Sequence, residues 1–178
     1  ALGAALAQMV AGLTVGRKKY VGVDAEMRAA ALEAAGLVGE LSGLADRDAD
    51  SYAAVGAAYK LPHETAPDTQ HRTDAITAAL LKAADVPLET ARACVRVCEL
   101  ALMVADKGNA NAVSDAGVAA LLAEAACRGA AYNVRINVAA LDDPESGKSR
   151  AAEATALIER ARTLTGRAIS MVEKAIGG

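Results

Sequence analysis

The chain has 178 residues, 53% of them hydrophobic, yet it contains no Phe or Trp and only 4 Tyr; its net charge is −3 and its pI about 5.4. One domain of this size buries roughly 70% of its unfolded surface without needing metals or disulfides, and a core of Ala, Leu, Val and Ile favours closely approaching helices over a sheet. Mild acidity without a basic stripe argues against nucleic acid as the main partner. No signal peptide and no apolar run of about 18 uncharged residues is present, so the expectation is a cytoplasmic protein with no membrane partner.

Residues 1 to about 15, ALGAALAQMVAGLTV, read as a buried helix in which Gly3 and Gly12 allow close packing. The first residue is Ala within an already helical pattern, so a segment is expected to precede it. Gly16 opens the densest positive run of the chain, Arg17, Lys18 and Lys19, followed by Tyr20. Cations there offset a helix dipole; they also suit an anionic ligand.

From Asp24 to about Lys60 a long helix is expected, with a possible interruption at Gly36 to Gly43. Its stripe is Leu37, Leu41, Leu44, Asp48, Tyr52, Val55 and Tyr59. Asp46, Asp48 and Asp50 lack the Gly and closing Glu of a calcium loop and read as a solvated face. Pro62 and Pro67 make Leu61 to His71 a surface loop that carries both histidines, His63 and His71. A helix from about Arg72 to Ala84 follows, and Asp85-Val86-Pro87 marks the start of another that runs to about Lys107 and stops at Gly108. Cys94 and Cys98 share a helix face at i,i+4, but no histidine or second ligand pair lies near in sequence, so these and Cys127 read as small buried hydrophobes. No metal site is expected.

The stretch Lys107 to Asn137 is the one long apolar segment with acids, bases and amides inside it. As a helix it carries two polar edges: Asp115, Asn133 and Asn137 on one, Glu124, Arg128 and Arg135 on the other. Asp115 and Asn133 share an azimuth but stand about 27 Å apart along the axis, so they meet only if a second helix or subunit runs past antiparallel. Asn111 or Ser114 can cap this helix, and Asp115 in its first turn favours the dipole. The same group of residues is also the best candidate for chemistry, since no phosphate loop, nucleophile elbow or zinc signature occurs elsewhere. LDDPESGKS, residues 141–149, is a second break before a final helix from about Arg150 to Ile176. The expectation is all-α: a single-domain antiparallel bundle of about six helices over residues 1–178. The small apolar residues of the first and fifth helices are expected to present a face to a second copy.

Four runs, LGAALAQMVAGLTVGRKKY (2–20), AAYKLPHET (57–65), ADVPLETAR (84–92) and KGNANAVSDAGVAALLAEAACRGAAYNVRIN (107–137), closely resemble the cyclodeaminase/cyclohydrolase family of folate enzymes. That family includes the C-terminal domain of formiminotransferase-cyclodeaminase and free-standing bacterial methenyltetrahydrofolate cyclohydrolases. The resemblance covers most of the chain in order and weakens after Leu141. It implies a dimeric all-helical enzyme with a tetrahydrofolate derivative as substrate, no further cofactor, and a homodimer as its protein partner. It also implies that the Asp of the SDAG run, Asp115, is the catalytic residue. The Gly-rich segment usual before the first helix of the family is not in this sequence. The expected substrate-binding groups are Asn111 and Ser114 for orientation, with Lys18, Lys19 and Arg135 as cations for a carboxylate tail and Asn137 as a further amide. The free-standing length favours methenyltetrahydrofolate hydrolysis over cyclodeamination, and a non-catalytic helical assembly is the alternative from another class.

Overall fold

The computed structural model describes residues 1–177. Its long helices are Leu2–Thr14 (α1), Asp24–Tyr59 (α2), Ala66–Lys107 (α3), Val113–Ala139 (α4) and Lys148–Ile176 (α5), with short 3-10 helices at Lys18–Val23, Ala110–Ala112 and Pro144–Gly147. The expected all-α bundle with antiparallel neighbours is present, but with five long helices instead of about six. α3 packs against all four other long helices, and α1 lies between α2 and α4.

The missing break is at Pro87, which lies inside α3 and is buried. A proline interior to a helix removes one amide donor and strands the carbonyl four residues earlier, here that of Ala83. In this fold the Asn137 Nδ2 on α4 donates to the Ala83 oxygen at 2.9 Å. The neighbouring helix therefore supplies the hydrogen bond that proline cannot, and α3 continues for 42 residues. An unsatisfied buried carbonyl costs about 1–3 kcal/mol, so Asn137→Ala is expected to destabilise by that amount. In a Pro87→Ala background the restored amide satisfies Ala83, and the same truncation should become nearly neutral. Urea unfolding of the four proteins checks this; equal costs of Asn137→Ala in both backgrounds would show that the bond carries no stability.

α3 also begins earlier than expected. Thr65 caps it by accepting from the Asp68 amide, and Pro67 sits in the first turn, where its lost donor would be unpaired anyway. The loop therefore ends before Ala66, leaving His63 in the connection and placing His71 on the helix. No break occurs in α2 at Gly36 to Gly43.

The core is built mainly of alanine, with Met27, Leu100 and Val10 among its largest fully buried side chains. Small residues let backbones touch: a Cβ on Gly3 would stand 2.9 Å from the Ala119 carbonyl of α4. Cys94, Cys98 and Cys127 are buried free thiols, as expected. Burial pushes Cys94 and Cys98 up from about 9 to about 11, and Cys127 to about 12. The folded state thus keeps protons that the unfolded chain releases above pH 9.0. Their contribution to stability is complete below that pH and lost as pH rises toward 11 and 12. A disulfide-exchange reagent at pH 8 is expected to label all three thiols only after denaturant is added, a test that rapid labelling of the native protein would fail.

Candidate active site

The α3–α4 connection and the basic run after α1 come together although some ninety residues separate them in sequence. Gly16 takes a left-handed φ of 74°, which only glycine adopts at no cost, and turns the chain out of α1. The Gly16 amide then donates to the Asp24 carboxylate at 2.6 Å, closing the loop that carries Arg17, Lys18 and Lys19. That hydrogen bond, with the Arg28 guanidinium beside it, holds Asp24 below the usual carboxylate range.

The end of α1 and the segment after it are tied to the α3–α4 connection by three further bonds. The Asn109 amide donates to Thr14 Oγ1 at 2.8 Å, Asn109 Nδ2 donates to the Leu13 carbonyl at 3.1 Å, and the Ala110 amide donates to the Tyr20 hydroxyl at 3.0 Å. The result is a cleft of about 280 Å³ lined by Arg17, Lys18, Lys19, Tyr20, Asn109 and Asn111. Lys19 Nζ lies 5.4 Å from the Tyr20 ring centroid. Among the described residues Arg17, Lys18 and Lys19 enter no ion pair, whereas seven other arginines do. A cleft with unpaired cations is suited to an anionic group.

Asp115 stands about one turn beyond Asn111, half-buried, and enters no ion pair among the described residues. Ser114 beside it is exposed. The expected cap differs in detail: Ala112 precedes α4 with no side-chain cap, and it is Asn109 whose side chain accepts, from the Asn111 amide of the preceding 3-10 turn. Asn111 and Ser114 are therefore not spent on capping and remain open to solvent.

Lys18, Lys19 and Asn111 thus line one cleft, with Ser114 and Asp115 next to it in sequence. Arg135 and Asn137 lie at the other end of α4, where Arg135 donates to Thr155 Oγ1 at 3.0 Å and Asn137 holds Ala83. Within one chain these two do not reach the cleft. Tyr20 and Thr14, which organise it with Asn109, are not singled out by sequence reasoning as site residues; the signal is a rare aromatic directly after the basic run.

The fold is an all-helical domain, and its cleft gathers three cations that enter no ion pair among the described residues. The family described as formiminotransferase-cyclodeaminase matches residues 1–173, and the chain belongs to it. A methenyltetrahydrofolate cyclohydrolase from Methylorubrum extorquens is 42% identical over 99% of this chain and 85% of its own length. The formimidoyltransferase-cyclodeaminase of Rattus norvegicus is 32% identical over 97% of this chain, which spans only 32% of that longer protein. Among solved structures, the formiminotetrahydrofolate cyclodeaminase of Thermotoga maritima superposes with a TM-score of 0.86 at 28% identity, covering 98% of this chain and 85% of that one. No helix among the described residues is long and apolar enough to cross a membrane.

Proposed function

We propose that this protein hydrolyses 5,10-methenyltetrahydrofolate to 10-formyltetrahydrofolate, with Asp115 as general base. The observation that supports the reading most is the 42% identity, over nearly all of this chain and 85% of the other, to a relative bearing the cyclohydrolase name. The methenyl carbon lies between two nitrogens as an amidinium and is already electrophilic, so the chemistry calls for no metal or redox cofactor. Asp115 takes a proton from water as its oxygen bonds to that carbon. The tetrahedral adduct then collapses: the bond from carbon to N5 breaks, N5 takes the proton back, and the hydroxyl proton leaves to solvent as the formyl carbonyl forms on N10. Asn111 and Ser114 orient water or substrate, while Lys18 and Lys19, with Arg17, receive the carboxylates of the glutamate tail.

The alternative is cyclodeamination, in which N10 attacks a formimino carbon on N5 and ammonia departs. It is favoured by the Thermotoga maritima likeness, since a chain of similar length there bears the cyclodeaminase name. Free-standing length therefore does not separate the two activities. Offering the purified protein each substrate in turn does so: loss of methenyl absorbance without ammonia release from formiminotetrahydrofolate is the expected result, and ammonia release at a comparable rate would reverse the assignment.

The working unit in this reading is a homodimer, acting on a folate in the cytoplasm and not on nucleic acid. Its support is the outer face of α4, where Val118, Leu121, Leu122, Tyr132 and Ile136 are 38% to 65% exposed. Five large apolar side chains in one line form an uncommonly continuous patch for an isolated chain.

A further inference from the structure

Tyr20 is one of 4 tyrosines in the chain, and its setting differs from that of the other three. Tyr52, Tyr59 and Tyr132 are 80%, 45% and 51% exposed and lie open to water. Tyr20 is half-buried at a kink of the 3-10 turn Lys18–Val23, with φ −113° and ψ 18°. Its oxygen accepts the Ala110 amide at 3.0 Å. A phenol also has one hydrogen to donate. That hydrogen prefers the plane of the ring, on one side of the oxygen or the other, because the oxygen conjugates with the ring. An amide bonded to the oxygen and the hydroxyl hydrogen take different sides, so the Ala110 amide fixes the direction in which Tyr20 donates. The hydrogen meets no acceptor among the described residues, although Tyr20 lines the cleft with Arg17, Lys18, Lys19 and Asn111.

The cations and the hydroxyl do different things for an anion. Arg17, Lys18 and Lys19 are exposed, and a pairing on such a long mobile side chain is weak because it costs conformational entropy and is screened. They draw an anion in without setting where it stops. A donor on a held ring does set it, and a hydrogen bond to a charged acceptor is roughly twice as strong as one to a neutral group. Asn109 is committed to the connection, its Nδ2 donating to the Leu13 carbonyl and its Oδ1 accepting from the Asn111 amide. The anchor is also joined to the chemistry. The amide that holds Tyr20 belongs to the 3-10 turn Ala110–Ala112, which runs directly into α4 and its first-turn Asp115. An anion placed by Tyr20 is therefore placed relative to Asp115.

We propose that Tyr20 is a specificity-determining residue: its hydroxyl donates to a carboxylate of the substrate's glutamate tail, so that the protein selects folates that carry the tail over pteroates that lack it. This rests on the folate reading above, and adds to it the group that turns a diffuse cationic cleft into a position.

Tyr20→Phe removes the hydroxyl and keeps the ring. Ala110 is exposed, so water takes up its amide, and the two Asn109 bonds still hold the connection; the variant is expected to fold. Wild type and variant are each assayed on 5,10-methenyltetrahydrofolate and on 5,10-methenyltetrahydropteroate, which has the same reacting centre and no glutamate. Wild type is expected to favour the tailed substrate in kcat/KM, and Tyr20→Phe to shrink that advantage about 10- to 100-fold through KM, as befits loss of a hydrogen bond to a charged group. A wild type without the preference, equal losses on the two substrates, or a fall in kcat alone would reduce the hydroxyl to a strut for Ala110 and overturn the proposal.

A second measurement needs no turnover. p-Aminobenzoylglutamate, the tail with its ring, is titrated into both proteins while the Ala110 and Asn111 amides are followed by NMR. A saturating shift in wild type, a Kd raised about 10- to 100-fold in Tyr20→Phe, and no shift with p-aminobenzamide, which has no carboxylate, are expected. No shift in wild type, or the same Kd in both proteins, overturns the assignment. A protein that shows the expected binding yet turns over neither folate keeps its carboxylate site and loses the hydrolase reading, so the two failures are told apart.

Discussion

Asp115→Asn should lower kcat by about 10²- to 10⁴-fold, the usual contribution of a general acid or base, while KM moves by less than about threefold. The amide keeps the shape and most of the polarity of the carboxylate but cannot accept a proton from water. Nothing else in the first turn of α4 can take over, since Val113, Ser114 and Ala116 carry neither a carboxylate nor an imidazole. Asp115 makes no side-chain bond that the change would break: it pairs with no cation among the described residues and caps nothing, which leaves only its favourable charge in the first turn of α4, worth about 0.3–1 kcal/mol. The circular dichroism and the midpoint of unfolding should therefore stay close to wild type. A variant that folds, binds folate and turns over normally would reduce Asp115 to a helix-dipole acid.

The largest loss of stability is expected from Leu100→Ala, at about 2–5 kcal/mol and toward the upper end of that range. Leu100 is fully buried on α3, in a cluster whose other members are mostly alanine. The cost of a cavity depends on how far its walls relax. Alanine has no χ torsion with which to swing into a hole, and helices already touching backbone to backbone, as at Gly3 and Ala119, have little distance left to close. The cavity should persist almost whole. Leu100→Met, which keeps the volume, should cost less than about 1.5 kcal/mol. Urea titrations read both as midpoint shifts at unchanged slope; a cost below about 1.5 kcal/mol for Leu100→Ala would show that this core relaxes after all.

Most of the helical architecture was legible from composition and periodicity, and the exceptions are instructive. The stripe of α2 was placed on Leu37, Leu41, Leu44, Asp48, Tyr52, Val55 and Tyr59, yet Tyr52 is 80% exposed and the buried positions there are Ser51 and Ala58. Buried residues recur every seven along Ala30, Leu37, Leu44, Ser51 and Ala58, and small residues occupy the inner line where α3 comes close. Hydrophobic periodicity favours a large aromatic as the inward residue, whereas the close helix contact selects the small ones. Pro87 was read as a boundary because local rules say so; the residue that overrides them, Asn137, is fifty positions away. The candidate site was legible as separate pieces: the basic run, the Asn-rich turn and Asp115. What no periodicity shows is that Tyr20 and Thr14 fasten the first of these against the second. Assignment of Asp115 as the base came from the family resemblance, since spacing alone left capping and catalysis both open.

One part of the molecule stands apart from the rest. Beyond Leu44 on α2 and before Leu80 on α3, Ser51 and Ala58 are the only buried positions, each still slightly exposed, and α2 packs against α3 rather than α4 or α5. The seven-residue period of α2 thus continues into a two-stranded coil that outruns the bundle it starts from. Such a segment has its own local free energy of opening, lower than that of the whole domain. Amide deuterium uptake should accordingly form two tiers: residues around 52–76 exchange through an excursion that leaves α1, α4 and the inner half of α3 protected, so that the hairpin can open and re-form while the bundle it extends from stays closed.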